Sequence, residues 1–216
     1  GFSMEDIIVV ENVTKRFGDN IVLDNVNVNF EKGKIHGIIG RNGSGKTMLM
    51  KCICGFVPVT SGTITVSGKR VGKDIDIPHD MGIIIETPGF LNNYSGYNNL
   101  KFLAGINKKI GKDRIMEVME LVKLDPHNKK HVGKYSLGMR QRLGIAQALM
   151  EHPKLLILDE PMNGLDQTGV GEMRDILAGL AREEEVTIIM ANHNADDIRL
   201  LCDTVCEMEL GKLKVR

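Results

Sequence analysis

Eight consecutive residues, Gly40 to Thr47, carry the clearest chemistry in the sequence. They read Gly-Arg-Asn-Gly-Ser-Gly-Lys-Thr and match the phosphate-binding pattern G-x-x-x-x-G-K-[ST]. Glycines let the backbone turn its N–H groups toward a phosphate, the lysine reaches the β- and γ-phosphates, and the threonine hydroxyl ligates Mg²⁺. The loop therefore predicts a nucleoside triphosphate site. Its predicted ligands are Gly40, Arg41, Asn42, Gly43, Ser44, Gly45, Lys46 and Thr47.

The segments on both sides of this loop suit a phosphate site. The apolar run Ile35 to Ile39 predicts a buried strand, and Thr47–Phe56 predicts a helix. The N-terminus of a helix carries a partial positive charge that favours a bound anion. Strand, loop and helix together predict one phosphate-binding unit.

A second unit of the predicted site is a pair of neighbouring carboxylates. The apolar strand Leu155–Leu158 is followed by Asp159 and Glu160, at the strand end where ligands bind in α/β sheets. Asp159 is expected to hold Mg²⁺ through water, and Glu160 to polarise the attacking water. Two acids could instead form a solvated helix N-terminus, which the upstream phosphate loop makes the weaker interpretation.

The remaining pattern predicts elements that position these residues. Residues 7–30 are rich in β-branched side chains and alternate with period two, which predicts an antiparallel β-subdomain. Met81–Ile85 predicts a short buried strand, and residues 97–150 are helical in pattern. Strand Val186–Met190 follows a predicted helix, Thr168–Glu185. We expect an α/β fold with a mainly parallel core sheet and a helical insertion at about residues 90–150.

Composition predicts one domain. The 216 residues are 42% hydrophobic and 26% charged, enough for a domain over residues 4–216, and we interpret residues 1–3 as an expression scar. The 28 basic residues balance 28 acidic ones, so no nucleic-acid partner is expected. No signal peptide or run of roughly 18 apolar residues occurs, which predicts the cytosol. The four cysteines predict buried free thiols rather than a metal site.

Three further segments stand out, one between the phosphate loop and the acidic pair and two after the pair. They are Tyr-Ser-Leu-Gly-Met-Arg-Gln-Arg at 135–142, Pro-Met-Asn-Gly-Leu-Asp at 161–166, and a histidine, His193, after a strand. With the phosphate loop and the acidic pair, they resemble the ATP-binding cassette (ABC) ATPases over about Ile7 to Arg216. The resemblance implies a P-loop NTPase core that binds ATP and Mg²⁺. It also implies a head-to-tail pair of subunits, as a homodimer or heterodimer.

The resemblance also implies roles for single residues. Ser136 and Gly138 lie in the family signature and would contact the γ-phosphate held by the opposite subunit, although Ser-x-Gly by itself signals only a helix cap. Leu137 and Met139 depart from the usual Gly and Gln of that signature. His193 lies where the family has its switch histidine, at the γ-phosphate, whereas a lone histidine is often structural.

Two more residues take their expected roles from the resemblance. Phe17 lies where family members stack an aromatic ring on adenine, and a plain core Phe is the alternative. Glu86 stands where most of the family has a glutamine that contacts Mg²⁺ and water. A glutamate there is similar to the bacitracin-resistance and lantibiotic-immunity exporters, and a carboxylate can still accept from metal-bound water. Glu86 is thus an expected third metal ligand.

The resemblance finally implies a multi-spanning membrane permease as a separate chain. A short cytoplasmic helix of that permease would dock beside Glu86 and the helical insertion, with Tyr94 and Tyr97 as exposed contacts. The chain would then be peripheral on the inner face of the membrane. Two alternatives stay open: a cassette ATPase that regulates a membrane or assembly complex without transport, and a nucleotide-gated binding module with negligible turnover.

Overall fold

The computed structural model describes residues 5–85, 89–107 and 110–215, without the side chain of Asn107. The strands in these ranges are β1 Asp6–Phe17, β2 Asn20–Glu31, β3 Ile35–Ile39, β4 Ser61–Val66, β5 Lys69–Arg70, β6 Met81–Ile84, β7 Leu155–Asp159, β8 Thr187–Asn192, β9 Thr204–Glu209 and β10 Lys212–Val215. The helices are α1 Lys46–Ile53, α2 Gly96–Asn107, α3 Lys112–Leu121, α4 Leu137–Leu149, α5 Gln167–Glu183 and α6 Ala195–Arg199, with a 3₁₀ turn at Val132–Lys134.

The N-terminal strands form an antiparallel sheet in the order β2-β1-β4-β5. Side chains of β2 alternate between solvent and the interior, and its inward residues Leu23, Val26 and Phe30 are fully buried. This apolar face packs against Leu49 and Ile53 of α1 in one hydrophobic cluster. The predicted antiparallel β-subdomain is therefore confirmed, and it covers the helix that follows the phosphate loop.

The second sheet is the mainly parallel core. Its order is β10-β9-β3-β8-β7-β6, and only β10 runs antiparallel to its neighbour. Strands β3, β7 and β8 are almost wholly buried, as expected for parallel strands covered on both faces. Because β3, β8 and β7 are adjacent and parallel, Ile39, Asn192 and Asp159 end at the same edge of the sheet. This edge positions the site.

The helical segment packs on the face of the core sheet opposite to the β-subdomain, and Arg114 joins two of its helices to the end of α5. Arg114 of α3 donates from Nη2 to the carbonyl of Leu149 (2.7 Å) and from Nε to that of Met150 (3.3 Å), at the end of α4. Its Nη1 lies 3.0 Å from Glu184, at the end of α5. The boundaries predicted for the insertion, about 90–150 within a 4–216 domain, stay a prediction.

Two details differ from the sequence-based expectations. The helix predicted over Thr47–Phe56 ends at Ile53, because Gly55 takes a left-handed conformation (φ 79°) that turns the chain. Tyr97 was predicted to be exposed, which is wrong: it is half-buried against the core. Tyr94 is exposed, as predicted, at 45%. Among the described residues, no helix combines the length and apolarity needed to cross a bilayer.

Candidate nucleotide-binding site

The phosphate loop leaves the carboxyl end of β3 and is held by backbone contacts. Gly40 N–H donates to the carbonyl of Asn192 on β8 (3.3 Å). Gly43 (φ 81°) and Gly45 (φ 111°) take left-handed conformations that side chains disfavour. A Cβ atom on Gly40 would lie 2.5 Å from the carbonyl oxygen of Met208. Glycine is therefore required at Gly43 and Gly45 by the backbone conformation, and at Gly40 by close packing.

Lys46 folds back across this loop. Its ammonium donates to the carbonyls of Gly40 and Arg41, the latter at 3.0 Å. It also lies 3.8 Å from Glu160 Oε1, and the lysine side chain is only 4% exposed. Burial lowers the pKa of Lys46 below its usual 10.5, and the nearby Glu160 and Asp159 carboxylates oppose that shift. A triphosphate in the loop would supply the negative charge that favours the ammonium form.

The two groups expected to hold Mg²⁺ are in direct contact. Thr47 Oγ1 donates to Asp159 Oδ2 at 2.7 Å. Asp159 Oδ1 is buried and has no hydrogen-bond partner among the residues that the structure describes. Burial raises the pKa of Asp159 above its usual 3.8, and the Thr47 hydrogen bond partly offsets this. A cation would satisfy the orphaned oxygen, and hydroxyl and carboxylate oxygens suit Mg²⁺.

An ion at this position would need other ligands too. Within residues 5–85, 89–107 and 110–215, no group of three or more His, Cys, Asp or Glu side chains is arranged to hold a metal. Magnesium commonly keeps several waters and takes substrate phosphate oxygens in such sites. The residues present therefore fit a metal that arrives with a nucleotide.

Glu160 lies between the lysine and a histidine. Its Oε2 accepts a hydrogen bond from His193 Nδ1 (2.8 Å) and a longer one from the His193 backbone N–H (3.3 Å). Oε1 is buried, and none of the described residues forms a hydrogen bond with it. Glu160 has a left-handed backbone (φ 52°), and its N–H donates to the Ala191 carbonyl at 2.9 Å. Such a conformation is uncommon for a non-glycine residue and clusters at functional sites. The strand order thus brings Lys46, Glu160 and His193 together, as the resemblance implied.

The predicted signature residues occupy a separate helix end. Ser136 Oγ accepts from Met139 N–H at 3.1 Å and caps α4, as predicted. A Cβ atom on Gly138 would make ordinary van der Waals contact with Leu165, at 3.6 Å. Leu137, which replaces the usual glycine, is 45% exposed. Gly138 and Leu137 thus lie against Leu165 and Gly164, in the loop that follows β7.

Two further predicted residues have different outcomes. Phe17 ends β1 and is 50% exposed, with Lys15 Nζ 4.9 Å from its ring centroid. The structure therefore excludes the alternative of a core phenylalanine, and stacking on adenine stays a prediction. Glu86 lies outside the described residues, beyond the end of β6 at Ile84.

Asn192 belongs to the site although sequence reasoning missed it. It ends β8, is 1% exposed, and its backbone carbonyl accepts from Gly40 at the base of the phosphate loop. Its Nδ2 donates to the Asn194 carbonyl (3.1 Å), while its Oδ1 is buried and finds no hydrogen-bond partner in the described ranges. The signal available in the sequence was a polar residue, Asn192, at the end of an apolar strand and directly before His193.

Comparison with known proteins decides the family. The family model described as ABC transporter matches residues 23–163, and the chain is 43% identical to the uncharacterized ABC transporter ATP-binding protein YybJ of Bacillus subtilis (strain 168), over 96% of the chain and 95% of YybJ. The chain belongs to the ABC transporter family. As an ABC protein it binds and hydrolyses ATP, which is the chemistry that the arrangement of Lys46, Asp159 and Glu160 suits.

Other ABC proteins are similar over most of the chain. The bacitracin transport ATP-binding protein BcrA of Enterococcus faecalis is 42% identical over 97% of this chain and 68% of BcrA. The lantibiotic transport ATP-binding protein SrtF of Streptococcus pyogenes is 38% identical over 96% of this chain and 89% of SrtF. Among solved structures, CbiO1 from Clostridium perfringens, part of the ABC transporter complex CbiONQ, superposes with a TM-score of 0.88 at 30% identity, covering 97% of this chain and 87% of CbiO1. The P-loop NTPase fold of the cassette is thus confirmed.

Proposed function

We propose that this chain is the ATP-hydrolysing subunit that drives a membrane exporter. The observation that carries the proposal is the position of the Glu160 carboxylate. Its Oε1 lies 3.8 Å from the Lys46 ammonium, and its Oε2 lies 2.8 Å from His193 Nδ1. The phosphate loop and Lys46 bind the triphosphate, and Thr47, Asp159 and Glu86 hold Mg²⁺. When bound, that ion neutralises charge on the β- and γ-phosphates. Phe17 presents its exposed ring to adenine.

Hydrolysis follows from the two different environments of the Glu160 oxygens. Oε2 is held by His193, which fixes the orientation of the carboxylate. Oε1 has no hydrogen-bond partner within the described part of the chain and is available to accept a proton from water that attacks the γ-phosphate. His193, held beside Glu160, detects the γ-phosphate and its loss. Lys46 stabilises the negative charge that moves toward the leaving phosphate.

A complete site requires two chains. Ser136 and Gly138 lie at the N-terminus of α4, whose free N–H groups favour an anion, and this helix is separate from the one that follows the phosphate loop. In a head-to-tail pair, each α4 N-terminus reaches the γ-phosphate held by the other subunit. ATP then joins the two chains, and hydrolysis removes the contact that holds them closed. The second chain is another copy or a related ABC subunit.

The proposed cargo is a peptide antibiotic or similar compound. Support comes from the names of two similar proteins, bacitracin transport BcrA at 42% identity and lantibiotic transport SrtF at 38%. A multi-spanning permease carries that cargo, and this chain lies beneath it on the cytoplasmic face. Tyr94 and Phe102, an exposed edge-to-face pair in the helical segment, offer it a contact surface.

Two measurements with the Glu160→Gln variant test this proposal. Sedimentation velocity with ATP and Mg²⁺ is expected to show a dimer, and the added change Ser136→Arg is expected to abolish it by placing bulk and charge at the shared phosphate. Capture from native membranes with ATP and Mg²⁺, followed by mass spectrometry, is expected to recover a multi-spanning permease. A monomer with bound ATP contradicts the pairing. Recovery of only soluble or single-span proteins contradicts transport and supports a regulatory ATPase.

A further inference from the structure

The turn between β9 and β10 makes contacts that a simple hairpin turn does not need. Its two residues, Leu210 and Gly211, are both left-handed (φ 50° and 79°). Gly211 N–H donates to the carbonyl of Ser44 in the phosphate loop (2.9 Å), and the Gly211 carbonyl accepts from Asp24 N–H on β2 (2.8 Å). One glycine thus links the C-terminal hairpin to both the nucleotide loop and the β-subdomain.

The hairpin and β2 also restrict the loop sterically. Met208, two residues before Leu210, places its carbonyl oxygen 2.5 Å and its Cε 3.0 Å from where Cβ atoms on Gly40 and Gly45 would lie. The carbonyl oxygen of Val22 lies 3.1 Å from the same point on Gly45. Both the first glycine and the last glycine of the motif therefore lie against segments that are distant in sequence.

The hydrogen bond from Gly211 has a consequence for phosphate binding. In a trans peptide, the carbonyl of one residue and the N–H of the next point in opposite directions. Since Gly211 holds the Ser44 carbonyl toward the outside of the loop, it turns the Gly45 N–H toward the inside, where the phosphate binds. The donor direction of the loop is thus determined by a residue that touches no nucleotide.

We propose that Gly211 is a positioning residue for ATP binding, which acts by orienting the Ser44–Gly45 peptide. The β9–β10 turn acts as a brace that presents the loop in its binding conformation before the nucleotide arrives. Preorganised donors bind an anion without the cost of ordering the loop. This inference rests on the proposal that Gly40–Thr47 binds the triphosphate.

The β4–β5 turn provides a matched control. Its two residues, Ser67 and Gly68, have φ angles of 50° and 79°, the same as those of Leu210 and Gly211. A Cβ atom on Gly68 would meet nothing within 4 Å, whereas one on Gly211 would lie 2.5 Å from the Val22 carbonyl oxygen. Gly68→Ala and Gly211→Ala therefore impose the same backbone strain, but only Gly211→Ala displaces the turn from the loop.

The test compares nucleotide affinity in the two variants by fluorescence titration with a labelled ATP analogue and Mg²⁺. We expect Gly211→Ala to raise Kd about tenfold, as for the loss of one hydrogen bond in an ordered site, with kcat at saturating ATP within about twofold of the parent. Gly68→Ala is expected to change neither quantity by more than about twofold. Equal affinity of the two variants overturns the inference. Failure of the parent to bind contradicts the proposed nucleotide site instead.

A second measurement uses the unaltered protein, in case Gly211→Ala does not fold. Hydrogen exchange resolved to single amides is expected to show that ADP slows exchange of the Gly211 N–H. The Gly68 N–H is expected to exchange at the same rate with and without ADP. Equal exchange of the Gly211 N–H with and without ADP, in protein shown to bind it, overturns the inference.

Discussion

Replacing Glu160 with glutamine separates ATP binding from ATP hydrolysis. The amide keeps the size of the side chain and can still accept from His193, now 2.8 Å from Oε2, but it cannot take a proton from water. General-base catalysis commonly supplies about 10²–10⁴ in rate. We expect kcat to fall by that factor. At ~1.36 kcal/mol for each factor of ten, the activation free energy rises by about 3–5 kcal/mol. Affinity for ATP should stay within about threefold of the parent, because Gly40–Thr47 is unchanged.

The assay is phosphate release at saturating ATP and Mg²⁺, combined with titration of a fluorescent ATP analogue. Glu183→Gln is a suitable control, because Glu183 is exposed at the end of α5 and loses the same charge. This control is expected to keep the parent kcat. If a folded Glu160→Gln protein keeps more than about a tenth of the parent kcat, Glu160 is not the general base. If instead affinity and kcat fall together, the carboxylate mainly holds the nucleotide.

Three further predictions concern acid stability, the helical segment and the C-terminal turn. His36 is buried with both ring nitrogens paired, and burial lowers its pKa below the usual 6.5. The unfolded chain therefore binds a proton at His36 more readily than the folded one. The stability that neutral His36 contributes should be complete above pH 6.5 and should be lost as the pH falls from there to the folded-state pKa. Arg114→Met should lower the free energy of unfolding by about 3 kcal/mol in urea, since it removes the ionic partner of Glu184 and the Arg114 hydrogen bonds to the Leu149 and Met150 carbonyls. Leu210→Asn should raise it by ~1 kcal/mol, because an 83% exposed leucine is left-handed there.

Each of these predictions has a control and a contradicting result. His36→Gln should remove much of the acid-side slope, while a change at the exposed His127 should leave it; an unaltered slope in His36→Gln contradicts the assignment. Arg182 is exposed on α5, so Arg182→Met should cost less than about 0.5 kcal/mol. A similarly small loss of unfolding free energy in Arg114→Met would show that the Arg114 contacts do not stabilise the helical segment. A loss of stability in Leu210→Asn would mean that the leucine packs in solution.

Most of the site could be predicted from the sequence because its chemistry is local. The glycines of Gly40–Thr47 are adjacent, so motif and conformation coincide. The carboxylates follow directly on the apolar run of β7, and Ser136 caps a helix within three residues of itself. In each case the physical constraint acts over a few neighbouring residues. Such constraints leave a readable pattern in a single sequence.

The remaining contacts depend on strand order, which one sequence does not encode locally. The pairing of Glu160 with His193 exists because β7 and β8 are adjacent and parallel. Burial of Tyr97 could not be distinguished from exposure by periodicity, since helix α2 has apolar residues on more than one face. The contact between Gly211 and Ser44 joins segments far apart in the chain. None of these has a sequence signature of its own.

A crystal structure of the Glu160→Gln protein with ATP and Mg²⁺ would show whether two chains share each nucleotide. The account predicts two chains related head to tail, with each triphosphate in the Gly40–Thr47 loop of one chain and its γ-phosphate against Ser136 of the other. It also predicts Mg²⁺ beside Thr47 and Asp159. ATP bound by one chain alone, or a pair of chains with both triphosphates remote from Ser136, would contradict it.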